Sequence, residues 1–287
     1  MISQVLFDKE ISIIIANAIR EDVGDGDHSS LACIPYDAMG EAKLIVKDKG
    51  ILAGVEFAKQ VFDFVDSSLE VEVLIPDGEP IKYGDVAFYV SGLSQSILKS
   101  ERLVLNAMQR MSAIATKTNE FVKLLDGTNT KILDTRKTTP GIRALEKWAV
   151  KIGGGENHRF ALYDMIMLKD NHIDFAGGIT KAIDATKSYL AENKLNLKII
   201  VEARNLKEIK EILQNEGVYR ILIDNFNYED TKKAVEMIGG KCLTESSGGI
   251  TKETARKYAE CGVDFISSGA LTHSVSNLDM SLKAVES

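Results

Sequence analysis

Residues 197–226, LKIIVEARNLKEIKEILQNEGVYRILIDNF, decide the fold. Two β-branched runs, Ile199 to Val201 and Ile221 to Ile223, flank a stretch in which Leu206, Ile209, Ile212 and Leu213 recur every three or four positions, ending at Gly217. The runs read as strands and the middle as an amphipathic helix closed by a glycine. A connection of that length is a crossover rather than a hairpin, so the two strands pair in parallel. Each run ends on an acid, Glu202 and Asp224.

The same alternation continues on both sides. KILDT (131–135), DMIMLKD (164–170), KCLTES (241–246) and VDFISSGA (263–270) read as strands, and 178–194, 227–240 and 251–262 as helices with three- and four-residue spacing. A complete eight-unit barrel takes roughly 250 residues. About 160 remain after residue 115, so an open, incomplete α/β barrel of six or seven strands is expected. Upstream, residues 41–55, 69–92 and SQSILKS (94–100) read as alternating strands, flanked by helices over 7–22 and 54–66. The expected plan is an α/β sandwich domain over 1–115 and the barrel over 116–272, linked by a long helix at 99–125. The tail, 273–287, reads as carrying no strand and as returning to the first domain.

Composition narrows the function. The net charge of -7 and the absence of a long basic run argue against a general nucleic-acid or anionic-membrane surface. Three cysteines, Cys33, Cys242 and Cys261, lack metal-binding or CxxC spacing, which leaves neither a disulfide framework nor a zinc site. No stretch reaches the roughly 18 apolar residues of a membrane span, and the acidic start is unlike a secretory signal, so a cytoplasmic protein is expected.

In parallel βα folds ligands bind where strands end. The strand ends here carry Asp134, Arg136 and Lys137; Lys169 and Asp170; Glu202; Asp224; Glu245, Ser246, Ser247, Gly248 and Gly249; and Ser267, Ser268 and Gly269. The insert between the first two strands adds His158 and Arg159 beside a glycine-rich turn. Cations facing one cavity repel each other, by about 4 kcal/mol for a unit pair at 4 Å and an effective dielectric of 20, so they imply an anionic ligand. The glycine turns after the last two strands suit a phosphate. Glu202 and Asp224 suit a Mg²⁺ that keeps its waters and bridges to phosphates. The residues thus point to an enzyme handling a phosphorylated, strongly anionic substrate. A Schiff-base aldolase using Lys169 is the competing reading.

The segments ERLVLN, SAIAT, DTRKTTPGIRALEKWAVKIGGGENHR, YDMIMLKDNHI, VEARN, ILIDNF, ESSGGI and VDFISSGALTHS together resemble quinolinate phosphoribosyltransferase, the carboxylating nicotinate-nucleotide pyrophosphorylase, across nearly the whole chain. The resemblance implies an N-terminal α/β sandwich and a seven-stranded open barrel. It further implies transfer of the phosphoribosyl group of phosphoribosyl pyrophosphate (PRPP) to quinolinate, with loss of pyrophosphate and CO₂, in de novo NAD biosynthesis. It assigns Thr135, Arg136, Lys137, His158, Arg159 and Lys169 to quinolinate, with Arg102 reaching in from the other subunit of a homodimer that a hexamer would contain. It assigns Glu202 and Asp224 to the ribose and Mg²⁺ side of PRPP, and Ser247, Gly248, Gly249, Ser268, Gly269 and Ala270 to its phosphate. No organic cofactor is expected. A molybdenum-transport-associated relative of the same fold shares part of these motifs and is the nearest alternative. His28 and Ser29 depart from the family's usual apolar residue and Thr without touching a site position.

Overall fold

The computed structural model describes residues 3–285. In chain order the elements are α1 (Gln4–Val23), α2 (His28–Cys33), β1 (Met39–Val46), β2 (Gly50–Ile51), α3 (Val55–Val65), β3 (Glu70–Val73), β4 (Pro80–Ile81), β5 (Val86–Leu93) and α4 (Ser94–Leu124). There follow β6 (Lys131–Leu133), α5 (Arg143–Ile152), β7 (Ile166–Leu168), α6 (Asp170–Ala176), α7 (Ile179–Glu192), β8 (Ile199–Ala203), α8 (Leu206–Ile212) and β9 (Val218–Asp224). The last are α9 (Tyr228–Ile238), β10 (Leu243–Ser247), α10 (Lys252–Ala259), β11 (Phe265–Ser267), α11 (Ala270–His273) and β12 (Met280–Ala284). They fold as two compact units, one of residues 120–136 and 155–270, the other of 3–119, 137–154 and 271–285.

The first of these holds a six-stranded sheet in the order β6-β11-β10-β9-β8-β7, every described pairing parallel. Because β6 and β7 are consecutive in sequence yet lie at opposite ends of the order, the sheet is an open barrel. A lone parallel bridge, Leu133 to Glu156, extends it one residue beyond β6 in place of a seventh strand. β8 is buried at all five positions, as expected of a strand covered on both faces. Its fully buried Ile200, like Ile221 and Ile223 on β9, contributes about 1.5–3 kcal/mol of burial. The helices begin on polar caps: Asn205 accepts from the N–H groups of Lys207 and Glu208 at α8, and Asn227 from that of Asp230 at α9.

The other unit carries an antiparallel sheet in the order β12-β1-β5-β3. The tail read as strandless therefore supplies its edge: β12 pairs with β1 from Ala42 opposite Ala284 to Val46 opposite Met280. Met280 and Leu282 alternate inward with Ser281 and Lys283, a pattern too short to stand out within 15 residues. The stretch Ser94–Ser100, read as a strand, forms the first turns of α4. Ile97, Ser100 and Val104 are among the buried positions of α4, and that spacing is helical rather than alternating.

Residues 137–154 also belong to this unit. The carbonyl of Lys137 accepts from the Thr272 hydroxyl at 2.8 Å. Arg110 donates to the fully buried Glu146 at 2.8 Å, to the Thr139 hydroxyl at 3.2 Å and to the Thr272 carbonyl at 2.7 Å, while the Thr139 N–H donates to Glu146 at 3.0 Å. The threonine-rich turn is thus held by a buried polar network. Trp148 of α5 meets Phe7 of α1 edge to face, 5.5 Å between ring centres.

Candidate active site at the carboxyl end of the barrel

Side chains alternate along each strand, so register tells which groups share a face. Glu202 lies opposite Leu222, Glu245 opposite Leu222 and Phe265, and Ser247 opposite Asp224. Met167, Ile200 and Leu222 pack together as an apolar layer. Glu202, Asp224 and Ser247 therefore crown the same inner face at the strands' carboxyl ends, with hydrocarbon packed beneath them.

The acids there are under strain. Glu202 is buried, and burial pushes its carboxyl up; the Asp224 and Asp170 carboxylates push the same way, opposed by Lys169 and by the Asp170 N–H. Lys169 Nζ lies 3.5 Å from Glu202 Oε2, its side chain half exposed. An ion-paired, solvated amine is the reverse of the desolvated lysine a Schiff base needs. Asp224 accepts from the Asn225 amide at 2.7 Å. Asn225 adopts a left-handed φ of 58° and donates its N–H to the Ser247 carbonyl at 2.9 Å. Among the described residues no three His, Cys, Asp or Glu side chains cluster as a metal cage. Two neighbouring carboxylates, Glu202 and Asp224, would suit a Mg²⁺ completed by water and substrate oxygens.

The cationic group comes from the exit of β6 and the segment before β7. Arg159 is buried; burial lowers its guanidinium's affinity for its proton, and the Arg136 guanidinium lowers it further. Arg159 donates to the Met165 carbonyl at 3.1 Å. Arg136, at the exit of β6, is exposed, and Thr135 beside it half-buried.

Asp134, for which the sequence offered no role, is fully buried and accepts the His158 N–H at 2.8 Å. Alongside it the Glu156 N–H donates to the Ile132 carbonyl at 2.9 Å. The Arg159 N–H donates to His158 Nδ1 at 2.6 Å, which leaves Nε2 facing Glu245 Oε2 at 3.3 Å. Arg220 Nη1 donates to that same oxygen at 2.7 Å, its guanidinium lying 4.2 Å from the centre of the Phe265 ring. Burial alone would raise the Glu245 carboxyl, but the hydrogen bond and charge of His158, the charge of Arg220 and the hydrogen bond of Ser267 outweigh it, holding it at about 2.

The expected phosphate turns differ from each other. Gly248 and Gly249 have φ of 95° and 62°, and a Cβ on Gly248 would collide with the Asn225 side chain; only glycine fits there. Ser268 is buried, its N–H donating to the Leu133 carbonyl at 3.1 Å and its hydroxyl to the Ile250 carbonyl at 3.1 Å. It ties β11 to its neighbours, and Gly269 and Ala270 follow it at the start of α11.

Two expected site residues belong to the other unit. Lys137 follows the boundary, and Arg102, exposed on α4, lines a cavity of about 350 Å³ with Glu21, Asp22 and Asn106. Sequence reasoning missed Arg220 and Asn225. Arg220 opens an apolar run and gave no sign of facing inward; the left-handed backbone of Asn225 has a weak signal in its Asp-Asn pair.

The chain matches the quinolinate phosphoribosyl transferase N-terminal domain over residues 27–112 and the C-terminal domain over 114–283. It is 46% identical to the chloroplastic nicotinate-nucleotide pyrophosphorylase (carboxylating) of Oryza sativa subsp. japonica, covering 96% of this chain and 77% of the relative. It is 39% identical to a probable nicotinate-nucleotide pyrophosphorylase (carboxylating) of Bacillus subtilis, over 95% and 93% of the two chains. The solved nicotinate-nucleotide pyrophosphorylase of Francisella tularensis superposes with a TM-score of 0.88 at 36% identity, covering 96% of each chain. Fold and sequence agree: this chain belongs to the quinolinate phosphoribosyl transferase family.

Proposed function

We propose that the chain catalyses the decarboxylating transfer of the phosphoribosyl group from PRPP to quinolinate, yielding nicotinate mononucleotide, pyrophosphate and CO₂ for NAD synthesis. The observation that supports this reading is that one unit carries both two mutually repelling guanidiniums, Arg136 and Arg159, and two neighbouring carboxylates, Glu202 on β8 and Asp224 at the end of β9. The cations suit a small dicarboxylate, whose charge relieves their repulsion. The carboxylates suit the positive charge that builds on the ribose carbon as its bond to pyrophosphate breaks.

The quinolinate ring nitrogen then forms the new bond to that carbon. The resulting cationic ring accepts the electron pair left when the adjacent carboxylate departs as CO₂, and protonation of that ring carbon completes the product. In this scheme Arg136, Arg159 and Lys169 orient quinolinate, while Gly248, Gly249 and the Gly269–Ala270 turn hold the 5'-phosphate. Holding both substrates in line supplies much of the acceleration. Glu202 and Asp224 would hold Mg²⁺, which when bound neutralises phosphate charge. A homodimer in which Arg102 completes the neighbouring subunit's site accounts for that residue's exposure on α4. No helix of the described residues is long and apolar enough to cross a membrane, in keeping with a cytoplasmic enzyme.

The test is turnover with quinolinate and with nicotinate side by side, each with PRPP and Mg²⁺. Quinolinate yields nicotinate mononucleotide and nicotinate does not; equal use of nicotinate would refute the dicarboxylate reading.

A further inference from the structure

Among the buried charges that the catalytic scheme leaves unused are Arg220 and Glu245. Both lie on the inner face of the barrel, Arg220 one strand position below Leu222 and Glu245 level with it. A buried ion pair is by itself poor evidence of added stability, because desolvation offsets the attraction. This pair has a further contact: Glu245 Oε2 accepts from Arg220 Nη1 at 2.7 Å and lies 3.3 Å from His158 Nε2.

His158 occupies the turning point of the substrate-binding segment. Before it run Gly153, Gly154 and Gly155, and Gly154 has a φ of 89°; such backbone does not fix its own direction. After it the geometry is tight. The Arg159 N–H is bonded to the His158 ring, and the N–H groups of Phe160 and Ala161 both donate to Asp164 at 2.8 Å. The orientation of the His158 ring thus determines where the chain presents Arg159. The His158 backbone N–H is held by Asp134, and the ring Nε2 faces Glu245 Oε2 at 3.3 Å.

We propose that Glu245 and Arg220 are positioning residues: Arg220 orients the Glu245 carboxylate, Glu245 fixes the His158 ring with its proton on Nε2, and the ring in turn sets the backbone that aims Arg159 at the substrate carboxylates. This assignment rests on the functional reading above and adds to it two residues that touch no substrate. Carboxylates that orient an imidazole through its second nitrogen are a general device for fixing tautomer and ring plane.

The test compares Glu245→Gln with the paired replacement Glu245→Leu/Arg220→Met in the full chain. The first keeps side-chain volume and removes the charge; the second removes both charges and orphans neither, so it retains the fold where the first fails. Displacing a binding group by about 1 Å costs on the order of 100-fold. The expected result is a rise of that order in KM for quinolinate, with kcat and KM for PRPP unchanged. The ¹⁵N spectrum of the His158 ring should report a proton on Nε2 in the wild type and lose that signature in Glu245→Gln. Wild-type KM for quinolinate in the paired variant overturns the proposal. So does an equal loss of affinity for both substrates, or a wild-type ring protonated on Nδ1. If the wild type leaves quinolinate untouched, the functional reading falls alone. The nitrogen spectrum then decides the anchor: a changed ring signal in Glu245→Gln sustains it and an unchanged one ends it.

Discussion

Arg136 and Arg159 show how a single residue's environment reports function. Arg159 is buried beside another guanidinium, which is unfavourable until an anion arrives. Arg136→Ala should therefore lose a charge-assisted contact of about 1.5–3 kcal/mol, on the order of a hundredfold in kcat/KM for quinolinate, with Tm unchanged or higher. Lys169→Ala should behave likewise. Steady-state kinetics beside thermal unfolding separates this from simple misfolding. Asp134 behaves in the opposite way. Its Oδ1 accepts a buried backbone N–H, so Asp134→Ala should lower stability by about 1–3 kcal/mol, measurable in urea. Glu245 sets a pH dependence. Its carboxyl is held at about 2, against an ordinary 4.5, by His158, Ser267 and Arg220 in spite of burial. A depressed acid stabilises the fold fully above the ordinary value, and that contribution, about 3 kcal/mol, is lost as pH falls from 4.5 toward 2. Acid titration of Glu245→Gln should lack this component; an unchanged acid transition would contradict the assignment.

At the scale of elements, the strand-helix alternation from Lys131 to Ser267 was legible because parallel strands are buried on both faces and helices on one, and these leave different periods in the sequence. The strand ends named most of the site for the same reason: a charged residue directly after an apolar run can only lie at the mouth of the sheet. What resisted reading was anything fixed by register or by partners distant in sequence. Arg220 faces inward because Ile221 and Ile223 face outward, and its partner Glu245 lies 25 positions away. Helix α5 buries Glu146 and Lys147, charges that one expects at the surface until the buried end of Arg110 is in view. The β10–α10 turn gives the prediction for this scale. Gly248→Ala places a Cβ against Asn225 at a φ of 95°, so it should raise KM for PRPP more than KM for quinolinate.

For the whole molecule, β12 shows that residues 280–284 are structural. Without it β1, with its buried Leu44 and Val46, would become the open edge of the sheet, and unpaired edges invite association. Truncation after residue 277 should lower Tm and promote aggregation, visible by light scattering. The central claim concerns chemistry: a dicarboxylate is held by cations, joined to ribose, and decarboxylated only after that bond forms. It is tested most directly with quinolinate labelled in the carboxylate adjacent to the ring nitrogen. Labelled CO₂ should appear in step with nicotinate mononucleotide, and only when PRPP is present. Product formed with the label retained, or CO₂ released without PRPP, would contradict it.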